Sequence, residues 1–322
     1  MSQTRTIRWV LYHEPIELFL RTAEAFAEEV GRLTNDTIKV EIYTLEQFAK
    51  TFGKDSEMEP VVWMQNGDCE MTQAHVAHIA VWHAPDFWAL EMPFLFDSHE
   101  HATRVLEGTI GSDLLTSLED KTPMRGLAFT YSGGYRILAA DRQITTAEEL
   151  QGLSMVTGFN PVQIDTAKAF GCVAKPVNIH DHLSNPNKDR ATYHNGNNTV
   201  ETTIPRYEQE AKTDKHIYVS NTKHSMYLTS IVIAKDFWNS LTESEQSAIQ
   251  AAALHTSRLE RQWSVDDADK VAGSKEEQDK LGIVYNEFTD EERAKLKETV
   301  QPLYNKYREF FSPNLIDGII KG

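Results

Sequence analysis

The sequence predicts an α/β protein of two domains joined by a long helix, and three observations carry that prediction. The chain opens with the signals of a strand, a helix and a second strand. A further series of strand and helix signals follows the glycine pair Gly133-Gly134. Helical spacing then runs uninterrupted from Thr242 towards Lys280. A chain of 322 residues is long enough to fill two such domains.

The elements follow in order. Thr6 to Tyr12 is rich in β-formers, and His13-Glu14-Pro15 puts a proline where a first helical turn accepts one. Ile16, Phe19, Leu20, Ala23, Phe26, Ala27, Val30 and Leu33 then recur at helical spacing, which predicts one buried stripe. Ile38 to Tyr43 reads as a strand, and a right-handed crossover makes it parallel to the first. Val61 to Met71 carries a helix end at Asn66-Gly67 and a short strand around Glu70. Glu91-Met92-Pro93-Phe94-Leu95-Phe96 is an apolar, proline-stiffened segment leading to a helix from about His99. Leu127 to Thr130 is an apolar run ending at Ser132-Gly133-Gly134, where two glycines permit backbone angles that other residues avoid. Strands at Tyr135 to Leu138 and Leu153 to Thr157 are separated by a turn of helix at Thr146-Ala147-Glu148-Glu149, and a helix covers Asn160 to Phe170.

Leu183 to Asn198 has the composition of a loop. His216 to Ser220 and Met226 to Ile233 read as a pair of strands about Asn221-Thr222-Lys223-His224. Thr242-Glu243-Ser244-Glu245 is a capping box, and the helix it opens spans roughly 55 Å if unbroken at 1.5 Å per residue. Thr289-Asp290-Glu291-Glu292 opens a last helix, which Pro302 kinks or breaks.

Composition excludes several functions. The net charge of −16 repels phosphate backbones and anionic lipid, which argues against nucleic-acid and membrane-surface partners. No segment is long and apolar enough to span a membrane, and the N-terminus MSQTRTIRWV lacks the apolar core of a signal peptide. The chain is therefore either cytoplasmic or a mature form whose leader is replaced by a start Met. Cys69 and Cys172 make no disulfide framework and have no metal-site spacing. His75, His78 and His83 share a helical-looking stretch but have no carboxylate or Cys partner at matching spacing, and His99-Glu100-His101 is not a zinc motif. Neither a metal nor another cofactor is expected. The sequence motifs of serine hydrolases, dinucleotide enzymes and phosphate-binding loops are absent.

Gly134-Tyr135-Arg136, Asp141-Arg142, Leu150-Gln151-Gly152-Leu153-Ser154-Met155-Val156-Thr157-Gly158, Glu91 to Phe96 and Asn198 to Arg206 lie at characteristic distances along the chain. With them the sequence resembles the solute-binding proteins of tripartite ATP-independent periplasmic (TRAP) transporters, dicarboxylate-transport type, over almost its whole length. The resemblance implies a periplasmic-binding-protein-like fold with an interdomain cleft and a hinge able to close on a ligand. It places residues 1–130 and about 217–250 in one domain and 131–216 and about 251–322 in the other, with the helix 243–280 shared. Cys69 and Cys172 then fall in opposite domains, which implies free thiols. The implied function is capture of a small organic acid by a periplasmic monomer that delivers it to membrane permease subunits, without chemistry.

The implied site contains Arg136, whose guanidinium can pair bidentately with a carboxylate or else serve an ion pair. Glu201 is retained from the family pattern, Thr202 stands where the family has Asn, and Val156 stands where it has a second, carboxylate-clamping arginine. Losing that arginine removes a charge-assisted pair worth about 1.5–3 kcal/mol and weakens the case for a dicarboxylate or a sugar acid. Phe159 aligns with a ligand-contacting position. Tyr12, His13 and Glu14 close the first strand, where they either contact ligand or cap the helix. With Trp63 and Tyr227, the aromatic residues Tyr12 and Phe159 suggest an aromatic or less polar monocarboxylate. The rival reading is a lyase or isomerase of small acids with Arg136 as anchor and His224 or His13 as base. A ligand-sensing protein without a permease is the third.

Overall fold

The computed structural model describes residues 4–12, 16–55, 59–81, 84–177 and 196–322. Eleven strands occur among them: β1 Arg5–Leu11, β2 Ile38–Thr44, β3 Met71–His75, β4 Met124–Tyr135, β5 Ile137–Ala140, β6 Ser154–Thr157, β7 Val173–Pro176, β8 Thr199–Thr202, β9 Tyr218–Asn221, β10 Met226–Ala234 and β11 Val284–Glu287. They form a five-stranded sheet in the order β2-β1-β3-β10-β4 and a six-stranded sheet in the order β11-β9-β5-β8-β6-β7. The fold is mixed α/β, as the sequence predicts.

Two compact units result. The first comprises Met1–Ala84, Thr103–Tyr131 and Leu228–Trp263, and the second Pro85–Ala102, Ser132–Tyr227 and Ser264–Gly322. The chain returns to the first unit at Leu228 rather than near 217, because β10 pairs with β3, Thr229 opposite His75, and so enters the five-stranded sheet. Pro85–Ala102 groups with the second unit.

In the first unit, β1 lies parallel to β2 in the expected crossover, and the helix Ile16–Thr34 covers them. Phe19, Ala23, Phe26 and Val30, spaced at helical intervals, are fully buried against Ile7, Trp9 and Ile38, while Trp9 meets Phe26 edge to face at 5.0 Å. Glu260, from the long helix, is also fully buried. Its Oε1 accepts from Gln73 Nε2 at 2.7 Å, and the same amide donates to Thr229 Oγ1 at 2.9 Å. Burial pushes the Glu260 carboxyl up to about 8, with the Gln73 amide opposing the shift.

Three expectations are corrected. The strands β9 and β10 do not pair: β9 lies between β11 and β5 in one sheet, and β10 belongs to the other. A short polar segment between two β-runs looks like a hairpin turn, but here it carries the chain from one unit to the other. The long helix covers Glu243–Gly273 and stops short of Lys280. Gly273 ends it, and Ser274 accepts from Glu277 N to cap a separate helix, Lys275–Leu281. His75 and His78 do not share a helix, since His75 ends β3 and His78 lies in Val76–Val81. His83 lies outside the described residues.

Other local signals act as read. Thr242 and Glu245 form the capping box, with Thr242 N donating to Glu245 Oε2 at 2.7 Å and Glu245 N to Thr242 Oγ1 at 3.3 Å. Replacing Thr242 by alanine should lower the unfolding free energy by about 1 kcal/mol in urea titrations. An unchanged midpoint would mean that packing of Ile249 and Ala252 alone sets the helix. Pro302 sits in the first turn of Gln301–Phe310, just after Asp290–Thr299 ends. Cys69 and Cys172 are buried free thiols in different units. Burial pushes the Cys172 thiol up to about 12.

Candidate ligand site

The six-stranded sheet brings one set of polar side chains together by its strand directions. Strand β5 runs antiparallel to both β8 and β9, with Ile137 opposite Thr202 and Leu138 opposite Ser220. The residue before β5, the last residues of β8 and the segment after β9 therefore meet at one edge of the sheet. Those positions hold Arg136, Glu201 and Thr222-Lys223-His224. Strand β6 is parallel to β8, so Gly158-Phe159-Asn160 emerges at the same edge. This is the edge at which open α/β sheets commonly hold ligands.

Arg136 sits at the break between β4 and β5, and its backbone N donates to Ser225 O at 2.9 Å. The break is prepared by Gly133 and Gly134, at φ of 98° and 76°. A Cβ on Gly133 would come within 2.7 Å of Pro205 Cδ, so both the backbone angle and the space require glycine there.

The Arg136 side chain is 2% exposed, and its Nη2 donates to Glu91 Oε2 at 2.8 Å. Its Nε lies 3.7 Å from Glu201 Oε1, and the same oxygen accepts from His224 Nε2 at 2.9 Å. His224 Nδ1 lies 2.6 Å from Thr222 Oγ1, so both ring nitrogens are engaged. The Phe170 ring packs edge-on against the imidazole at 5.4 Å. Burial works to lower the Arg136 pKa, and the Glu91 and Glu201 carboxylates more than offset it. Burial raises the Glu91 carboxyl above the ordinary value, with the guanidinium opposing that shift.

Tyr227 adds a second layer. The guanidinium carbon of Arg136 lies 4.0 Å from its ring centroid and that of Arg206 4.4 Å. Arg206 donates to Ser132 Oγ at 2.9 Å and pairs with Glu210, whose Oε2 accepts from Thr202 Oγ1 at 2.8 Å. Of the residues expected in the site, Arg136, Glu201, Thr202, His224 and Tyr227 thus belong to one connected network. Phe159 is half-buried at the same sheet edge. Val156 is 5% exposed and packs in the apolar core with Ile137 and Val200.

Tyr12 and Trp63 belong to the first unit. Tyr12 follows β1 and donates to Glu59 Oε1 at 2.7 Å, while burial and Glu59 push its hydroxyl above the ordinary range. Its ring lies 6.5 Å from His78, which in turn is 5.6 Å from His75. Trp63 is 1% exposed and packs on Phe48 at 4.9 Å, which makes it a core residue. His13 and Glu14 lie outside the described residues. Among the described residues, no group of three His, Cys, Asp or Glu side chains could hold a metal ion.

The model of the bacterial extracellular solute-binding proteins, family 7, matches residues 12–181 and 198–310. The chain belongs to that family. Members of family 7 are extracellular solute-binding proteins rather than enzymes, so the lyase reading falls. The C4-dicarboxylate-binding periplasmic protein DctP of Rhodobacter capsulatus is 24% identical over 298 residues, covering 89% of this chain and 81% of that protein. Two solved structures share the fold. The sugar acid-binding protein DctPAm of Advenella mimigardefordensis, in complex with galactonate, superposes with a TM-score of 0.81 at 21% identity, covering 100% of this chain and 98% of that one. A TRAP periplasmic solute-binding protein of Polaromonas sp. JS666, bound to D-erythronate, gives 0.78 at 23% identity and covers 98% of each chain. No described helix is long and apolar enough to cross a membrane.

Sequence reasoning missed Glu91, Arg206 and Glu210. For Glu91 a signal was present: it is the one charge in the run Ala89-Leu90-Glu91-Met92-Pro93-Phe94, and a charge in an apolar run is buried only when paired. Arg206 closes a quoted family motif, but nothing in the motif tells that its side chain turns towards Tyr227.

Proposed function

We propose that this family 7 protein captures a small hydroxylated monocarboxylate, of the aldonate kind, and delivers it to TRAP membrane permease subunits. Arg136 is the anchor for the carboxylate. The charge balance around Arg136 carries this reading. One guanidinium faces Glu91 and Glu201, Arg206 is matched by Glu210, and the clamp position holds Val156. Such a cluster tolerates one added negative charge better than two, and its carboxylates and hydroxyls supply acceptors for ligand hydroxyls. The galactonate and D-erythronate bound by the two structural relatives are acids of this type; the dicarboxylate named for the Rhodobacter relative is not.

The aromatic or less polar monocarboxylate gains less support from these side chains, since the Tyr12 hydroxyl donates to Glu59 at 2.7 Å. Tyr227 is already engaged by two guanidiniums and Trp63 by Phe48.

Thermal shift and calorimetry with D-erythronate, galactonate, succinate and benzoate test the reading. The two sugar acids should raise Tm, by an amount equivalent to about 2.7 kcal/mol at a concentration of 100 Kd. A larger shift with succinate or benzoate, or none with any acid, would overturn it.

A further inference from the structure

We propose that the core of the first unit is a binding site for one internal water molecule, held by Trp9, Gln73, Thr130 and Glu260. None of these residues belongs to the ligand site described above, and the inference stands without the proposed function.

Strand order and register bring these side chains together. In the five-stranded sheet β1, β3, β10 and β4 are successive neighbours. Trp9 stands opposite Met71, two residues before Gln73, and Gln73 stands opposite Ile231, two residues after Thr229. Opposite residues, and residues two apart on one strand, share a face, so Trp9, Gln73 and Thr229 project into the same layer. There the Gln73 amide meets Glu260 of the long helix at 2.7 Å. The Thr130 hydroxyl, from β4, is near enough to oppose the upward shift that burial imposes on that carboxyl. The same layer contains Phe26, Ile231 and Ala253, all fully buried.

Trp9, Gln73, Thr130 and Glu260 are each at most 1% exposed. Among the described residues, Trp9 Nε1, Gln73 Oε1, Thr130 Oγ1 and Glu260 Oε2 are buried without a hydrogen bond of normal geometry. Buried polar atoms are nearly always paired, so their gathering in one core layer points to a shared partner. Gln73 spends its amide hydrogens on Thr229 Oγ1 and Glu260 Oε1. Turning that amide over only exchanges an unfilled acceptor for an unfilled donor. Trp9 decides what the partner is. The indole N–H only donates, so the partner must accept, which excludes a metal ion or ammonium. Gln73 Oε1 only accepts, so the partner must also donate, which excludes an anion. Water does both. It can accept from Trp9 Nε1 and from the protonated Glu260 carboxyl while donating to Gln73 Oε1 and Thr130 Oγ1.

Crystal structures of the wild type, Glu260→Gln and Gln73→Leu test the assignment. The wild type should show a density peak about 2.7–3.2 Å from both Trp9 Nε1 and Gln73 Oε1. Glu260→Gln should keep that peak, because its amide N–H donates where the carboxyl proton did, whereas Gln73→Leu should lose it. In solution, the Trp9 indole proton should show cross-relaxation with a long-lived water in the wild type and in Glu260→Gln, and none in Gln73→Leu. Trp9→Phe assigns the resonance. A wild-type structure without the peak, a peak at the shorter distances of a metal ion, about 2.0–2.6 Å, or a water retained in Gln73→Leu would each overturn the proposal. If a variant does not fold, the wild-type density decides by itself.

Discussion

Arg136→Ala should lower the free energy of unfolding by about 3–5 kcal/mol, the usual result of removing one partner from a buried ion pair. Read from the sequence as a carboxylate anchor, Arg136 would show its loss in ligand binding. The structure moves most of the effect onto the fold. Glu91 has no exposed side-chain surface, and its partner at 2.8 Å is the Arg136 guanidinium. Without that guanidinium, Glu91 must either take up a proton or remain buried and charged without its cation, and Glu201 loses a cation at 3.7 Å. The contact over the Tyr227 ring disappears as well. A second substitution separates charge from packing: Glu91→Gln in the Arg136→Ala background should recover part of the loss, because the uncompensated carboxylate is gone. Urea unfolding of the parent, both single variants and the double variant measures the coupling. If Arg136→Ala unfolds within about 1 kcal/mol of the parent, the buried pair is not what holds this sheet edge together.

Glu260→Gln should stabilise the protein, with a gain that grows with pH. The carboxyl lies at about 8 in the folded chain against an ordinary 4.5. Below 4.5 both folded and unfolded states hold the proton, so the carboxyl has no effect on stability. Between 4.5 and about 8 the unfolded chain releases a proton that the folded chain keeps, and stability falls as pH rises. The slope is about 1.36 kcal/mol per pH unit, which by pH 7 amounts to about 3 kcal/mol. Glutamine fills the same space without titrating and can still accept from Gln73 Nε2. The variant should therefore match the parent near pH 4.5, exceed it by about 2–3 kcal/mol at pH 7 and gain little more above pH 8. Denaturation at pH 5, 7 and 8.5 gives the comparison. A gain independent of pH would assign the effect to packing rather than to the buried proton.

These two residues also mark how far the sequence could be read. The positions of most strands and helices follow from local signals: the buried stripe of Ile16–Thr34, the capping box at Thr242, the N-cap at Thr289 and the break imposed by Pro302 are properties of a few neighbouring residues. The family motifs likewise point to Arg136, Glu201 and Thr202, because each lies in a short segment of recognisable spacing. The mistaken pairing of β9 with β10 shows the limit. Adjacent β-runs resemble a hairpin locally, and only the partners waiting in two different sheets separate them.

Charge pairing lies beyond that limit. Glu91 meets Arg136 across 45 positions of sequence, His224 meets Glu201 across 23, and Gln73 meets Glu260 across 187. The pKa of a buried group depends on which opposite charge comes within a few ångströms and on how much water is displaced, and neither quantity is local. The sequence by itself determined that an arginine follows the glycine break and that acidic residues occur in the motifs around it. The tertiary structure decided that its charge is already matched by Glu91 and Glu201, that a second guanidinium lies over Tyr227, and that Val156 belongs to the core, because strand order, not spacing along the chain, sets those distances.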